Sequence, residues 1–177
     1  MNIKDKFVLQ NIGHAIELQK KYGIHPIISL SQSAKETGWG QSFLATNHNN
    51  YFGMMATGSK NEHWTGEIYQ KDSKSRKWRK YNNPLQSFLD YGRLLNTSIS
   101  YVDLKQHFDD PGKFAKGIAS SNYITDSDNR QKYYSDLISI QNSIVIVIKT
   151  QQLNVKHNIV LPLAVVITVA VLLTKLF

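Results

Sequence analysis

Apolar residues recur at helical spacing near the start of the chain, where Phe7, Ile12, Ala15, Ile16 and Leu18 share one face between about Asp5 and Tyr22. Gly23 offers the stop. A second stripe, Ile27, Leu30 and Ala34, is opened by Pro26, whose missing N–H is not needed in a first turn, and closed by Gly38. Residues 41–46 read as one short helical segment. Between Gly53 and Tyr81 the period changes: aromatic and β-branched pieces at 64–69 and 77–81 flank Lys71-Asp72-Ser73-Lys74-Ser75, which predicts a β-hairpin. Helical spacing returns after Asn83-Pro84 with Leu85, Phe88, Leu89, Tyr91, Leu94 and Leu95, to about Ser98. Two short helices, 101–108 and 111–119, meet at the turn Asp110-Pro111-Gly112. A last helix carries Tyr133, Leu137 and Ile140, with Thr125 or Asp126 as its cap. The expected class is α+β, a mostly helical domain with a small β-hairpin lobe over residues 1–141.

Beyond 141 the pattern changes twice. Residues 142–157 read as a linker, a short β-branched run followed by polar residues. Ile159 to Thr174 then gives sixteen residues without a charge, and Lys175 to Phe177 brings the count to nineteen. At about 1.5 Å per residue that reaches ~28 Å, enough to cross a bilayer's hydrocarbon core. A helix apolar on every face must be enclosed by protein or by lipid, and a domain finished at 141 has no room for it. The expectation is a C-terminal transmembrane helix over 158–177 and a single-pass protein whose partner there is the lipid bilayer. The amino terminus has no apolar core of signal-peptide length and is interrupted by Lys4, Asp5 and Lys6.

Charge and cysteine content narrow the chemistry. The 21 Lys and Arg against 13 Asp and Glu give +8, which favours an anionic partner. No nucleic-acid motif is present and the charges are dispersed, so nucleic acid is not expected. Without cysteine there is no disulfide framework or thiolate metal site. His14 and His25 lack partners at i+4, and no metal is expected.

One carboxylate has surroundings suited to chemistry. Glu36 lies off the buried stripe of the second helix, two residues before Gly38-Trp39-Gly40, where the backbone can turn sharply. Partial burial beside an indole and the carbonyl end of a helix both disfavour the ionised form, which suits a general acid. The plainer alternative is a solvated residue of a helix's last turn.

The run SAKETGWGQSFLATNHNNYFGM resembles the signature of the glucosaminidase family, glycoside hydrolase family 73, in which a helix ending in Glu-x-Gly-Trp-Gly precedes an Asn-Asn-aromatic-Phe-Gly segment. Trp64-Thr65-Gly66, Trp78-Arg79-Lys80-Tyr81, Ser87-Phe88-Leu89-Asp90-Tyr91 and Asn122-Tyr123-Ile124-Thr125-Asp126 match further blocks of the family in order, over about residues 5–141. The resemblance implies a lysozyme-like fold and an endo-β-N-acetylglucosaminidase acting on peptidoglycan glycan strands, without a cofactor. It implies Glu36 as proton donor, Tyr123 in the cleft beside it, and a second acid from the lobe, Asp72 or Glu67. The substrate's own acetamido group is the alternative to that acid. Asn50, Tyr51 and Phe52 are expected in the floor of the sugar cleft, with Trp39 and Trp64 as further substrate contacts. Asp90 is expected to be structural, bonding backbone or Arg79. Two rival functions follow from the same residues: a lytic transglycosylase, or an inactive wall-binding membrane protein. Anchored in a membrane, the domain would face the cell wall or belong to a virion lysin.

Overall fold

The computed structural model describes residues 1–121 and 127–156. Its centre is α2, Pro26–Thr37, a helix with ten of its twelve residues buried. A buried helix is expected to be apolar on every face, yet this one carries three serines. Each satisfies its own hydroxyl by donating to a carbonyl three residues back: Ser29 to Pro26, Ser31 to Ile28 and Ser33 to Leu30. His25 caps the helix start, its Nδ1 accepting from the Ile27 N–H at 3.1 Å. Gly38 ends it in the left-handed region at φ 56°, donating its N–H to Ala34.

Three helices enclose α2. The first, α1 (Ile3–Tyr22), runs from the Asn2 cap to Gly23 and buries Phe7, Ile12, Ala15, Ile16 and Leu18, the stripe read from the sequence, together with Val8. After α3 (Phe43–His48) and the lobe come α4 (Pro84–Thr97), a 3-10 helix at Ile99–His107, and α5 (Pro111–Ser120). The long α6 (Ser127–Lys156) packs on α2 and α5. The lobe is a hairpin, as the change of period predicts, reduced to β1 (Ile68–Tyr69) and β2 (Trp78–Arg79) in antiparallel register, Ile68 opposite Arg79 and Tyr69 opposite Trp78.

A buried carboxylate ties the lobe to the helical body. Asp90 of α4 is fully buried and accepts from the Arg79 guanidinium, from the Tyr81 hydroxyl at 2.7 Å and from Asn61 Nδ2 at 2.9 Å. The Arg79 guanidinium also stacks over the Trp64 ring at 4.3 Å, and Trp64 Nε1 donates to the Glu67 carbonyl. Asp90 thus bonds Arg79, the structural role expected of it.

Two expectations are corrected. Residues 142–156 are not a linker but the continuation of α6, with Ile144, Val147 and Ile148 buried in the core. The β-branched run at 143–149 has helical spacing as well as strand composition, and packing on the helical body decides between them. The second correction concerns localisation: among the described residues no helix is long and apolar enough to cross a membrane. The longest, α6, breaks its apolar run with Asp136, Ser139, Gln141 and Lys149. The expected anchor, 158–177, lies outside the described residues, and no described helix supports the membrane or virion placement that rested on it.

Candidate active site

Glu36 occupies the last turn of α2 and its side chain is exposed, rather than partly buried as the sequence suggested. The reason is rotational: Ile27, Leu30 and Ala34 turn the buried stripe inward and leave Glu36 at the rim. Its carboxylate Oε1 lies 3.3 Å from the hydroxyl of Tyr133, which comes from the second turn of α6. The same hydroxyl donates to Gln32 Oε1 at 2.9 Å, one turn earlier on α2. Burial and the adjacent Glu36 carboxylate push the Tyr133 phenol well above the usual tyrosine range, so it stays a hydrogen-bond donor at any working pH. Behind Gln32 a cavity of about 20 Å³ is closed by Phe52, Met54, Tyr91, Leu95, Tyr101 and Ile118.

The anchoring of this corner continues on the outer face. Lys35 places its ammonium 4.8 Å over the Tyr133 ring and pairs with Asp136 at 2.8 Å. The pair holds Asp136 below the usual carboxylate range, Lys35 contributing most and Lys132 next. Gln32, Lys35 and Glu36 therefore all meet α6 on one side.

The predicted substrate residues divide into groups. Asn50 is fully buried and spends its amide on backbone, accepting from the Met54 N–H and donating to the Met54 and Arg79 carbonyls. Phe52 is 5 % exposed and stacks on Tyr91 at 4.1 Å. Trp64 is 3 % exposed beneath Arg79. These three stand below the surface, because the Asn-Asn-Tyr-Phe-Gly segment builds the support between lobe and helices. Trp39 and Tyr51 are half-buried and turn toward α1, the Trp39 ring meeting Phe7 edge-on at 5.7 Å. Both line a cavity of about 460 Å³ with Phe7, Lys6, Gln10 and Gln41, and Glu36 is not in its wall.

Of the lobe's acids, Asp72 is fully exposed in the hairpin turn. Its oxygens accept from the Lys74 N–H at 2.9 Å and the Ser75 hydroxyl at 2.6 Å, which lower its pKa. Glu67 is exposed and pairs with Lys80 at 3.3 Å. Tyr123 lies outside the described residues. Tyr133 is the residue that sequence reading missed: it stands in the packing stripe with Leu137 and Ile140, and no local pattern marks a hydroxyl whose partners are 97 and 101 positions away. Among the described residues no group of His, Cys, Asp and Glu is arranged to hold a metal ion.

The family model described as Glucosaminidase, mannosyl-glycoprotein endo-beta-N-acetylglucosaminidase, matches residues 12–145. The chain is 32% identical over 135 residues to the peptidoglycan hydrolase FlgJ of Vibrio parahaemolyticus, covering 69% of this chain and 42% of that protein. It is 32% identical over 136 residues to the exo-glucosaminidase LytG of Bacillus subtilis, covering 72% and 46%. It thus spans less than half the length of these curated relatives. In structure it resembles the glycoside hydrolase domain of Salmonella typhimurium FlgJ, with TM-score 0.66, 24% identity and coverage of 89% of this chain and 99% of that one. It also resembles a peptidoglycan hydrolase from Sphingomonas sp. A1, with TM-score 0.61, 22% identity and coverage of 81% and 94%. At these identities the structural likeness establishes the fold.

Proposed function

Because the chain belongs to the glucosaminidase family, we propose that it hydrolyses the glycan strand of peptidoglycan, with Glu36 delivering the proton to the leaving glycosidic oxygen. The observation that carries this reading is the carboxyl at the end of α2: exposed to a substrate on one side and held by the Tyr133 phenol on the other. A general acid needs both properties, since it must reach the bridging oxygen and keep a fixed direction while doing so. The named relatives supply the substrate class, one a peptidoglycan hydrolase and one an exo-glucosaminidase.

For the opposite face of the sugar, the geometry favours the substrate's own acetamido group over a carboxylate. Both oxygens of Asp72 are taken up by its own turn, and Glu67 is paired with Lys80. In this route the acetamido oxygen attacks the anomeric carbon as the bond to the leaving oxygen breaks, and water later opens the cyclic intermediate.

Release of reducing ends from purified peptidoglycan tests the assignment. Glu36→Gln is expected to lower the rate by about 10²- to 10⁴-fold, the usual contribution of a general acid. Equal rates for the two proteins would remove Glu36 from the mechanism. Mass spectrometry of the products is expected to show reducing N-acetylglucosamine, whereas anhydro-muramyl ends would make the enzyme a lytic transglycosylase.

A further inference from the structure

We propose that Tyr133 is the positioning residue of Glu36, and that it works by dividing one hydroxyl hydrogen between Glu36 and Gln32. This rests on the reading of Glu36 as the proton donor. The hydroxyl faces two acceptors one helical turn apart, Gln32 Oε1 at 2.9 Å and Glu36 Oε1 at 3.3 Å. Only one hydrogen is available to them. When Glu36 is ionised, Tyr133 donates to it. When Glu36 carries its proton, Tyr133 donates to Gln32, and its oxygen is left facing the carboxyl as an acceptor. The carboxyl therefore keeps this hydroxyl beside it, and one orientation toward it, through both halves of a catalytic cycle.

Two further features suit the phenol to this task. The ring is immobilised: it is 9 % exposed, and the Lys35 ammonium lies over it, itself tied to Asp136 on the same helix as Tyr133. Burial also keeps the hydroxyl protonated, so the device does not titrate away. Among the described residues, the titratable groups that bear on it are Glu36 on α2 and Tyr91 on α4, with the Lys35 ammonium over its ring. Gln32 Nε2 has no hydrogen-bond partner among the described residues, although the amide is buried. An amide held in that state is a cost to folding that an apolar residue would avoid, which argues that its oxygen has a use.

The test uses the full chain with soluble peptidoglycan fragments, and follows kcat and KM across pH for the wild type, Tyr133→Phe, Gln32→Met and Glu36→Gln. Tyr133→Phe is expected to lower kcat by about tenfold, with KM unchanged because the buried ring does not reach the sugar. It should also move the alkaline limb of the kcat/KM profile to higher pH, since a donor to the ionised carboxylate is gone. Gln32→Met should move that limb to lower pH, because the hydrogen is then undivided. A packing role would not displace the two limbs in opposite directions. If Tyr133→Phe fails to fold, judged by its melting curve, the direction of the Gln32→Met shift decides alone. Unshifted profiles, or shifts of the same sign, with Glu36→Gln inactive would overturn the role of Tyr133 and leave Glu36 in place. An active Glu36→Gln would overturn the reading of Glu36 and this one with it.

Discussion

Asp90 and Glu36 show how differently two carboxylates of one chain are used. Asp90 is fully buried, and three donors from the lobe converge on it. Removing one partner of such a pair leaves the other charge buried and alone, which costs about 3–5 kcal/mol. Asp90→Ala is therefore expected to lower stability by that amount in chemical denaturation, with Arg79 as the stranded group. A loss below about 1 kcal/mol would mean that the lobe relaxes and hydrates the guanidinium. Asp72 belongs to the opposite case. Exposed, and bonded within its own turn, it is expected to tolerate Asp72→Asn with activity within about threefold of the wild type, whereas a hundredfold loss would restore it as a catalytic base. Sequence reading separated Glu36 and Asp90 from the other acids because each sits in a spaced motif. It could not find Tyr133, since a contact made across 97 positions leaves no local spacing to recognise.

At the level of elements, the site depends on how α2 is clasped by α6. The Lys35–Asp136 pair is the charged part of that clasp, with the two side chains 20% and 34% exposed. Solvent at that exposure screens the pair, and about 0.5–1 kcal/mol is a fair expectation for Asp136→Asn at neutral pH. The folded pKa of Asp136 lies below its ordinary value of 3.8, so its contribution is complete above that value. It is lost as pH falls through the depressed folded pKa. Wild type and Asp136→Asn should therefore differ in melting temperature at pH 7 and converge near the acid limit. The end of α6 gives a sharper test. Ile144, Val147 and Ile148 are buried beyond the boundary that composition placed at 141, each worth about 1.5–3 kcal/mol of apolar burial. A chain ending at Gln141 is expected to lose cooperative unfolding, and one ending at Lys156 to keep it. The helices, the hairpin and their order were legible because their periods differ. The extent of α6 was not, because β-branched residues at helical spacing satisfy two patterns and only packing against the helical body selects one.

Taken whole, the molecule carries opposing demands on pH. A general acid needs its proton, which favours activity on the acid side. The fold pulls the other way through its histidines. His14, His25, His48 and His63 all have pKa values lowered from 6.5, each chiefly by burial, with Lys80 adding to the effect at His48 and Lys21 at His63. Below 6.5 the unfolded chain takes up protons at these sites before the folded one does, so stability is complete above 6.5 and declines as pH falls toward the depressed folded values. The lowered carboxylates, Asp110, Asp136 and Glu62 among them, cannot produce this slope, because their contributions are lost only below their ordinary values of 3.8 and 4.5. The melting temperature is accordingly expected to fall between pH 7.5 and 5.0 while the carboxylates stay ionised. His25 ties this slope to the site, because its Nδ1 must be unprotonated to accept the Ile27 N–H at the start of α2. His25→Asn keeps a capping oxygen and removes the titration, so its melting temperature should fall less over the same interval. A wild-type melting temperature that does not change from pH 7.5 to 5.0 would show that the histidines take up protons in the folded protein without cost, and that the fold does not oppose the acid-side activity that a protonated Glu36 favours.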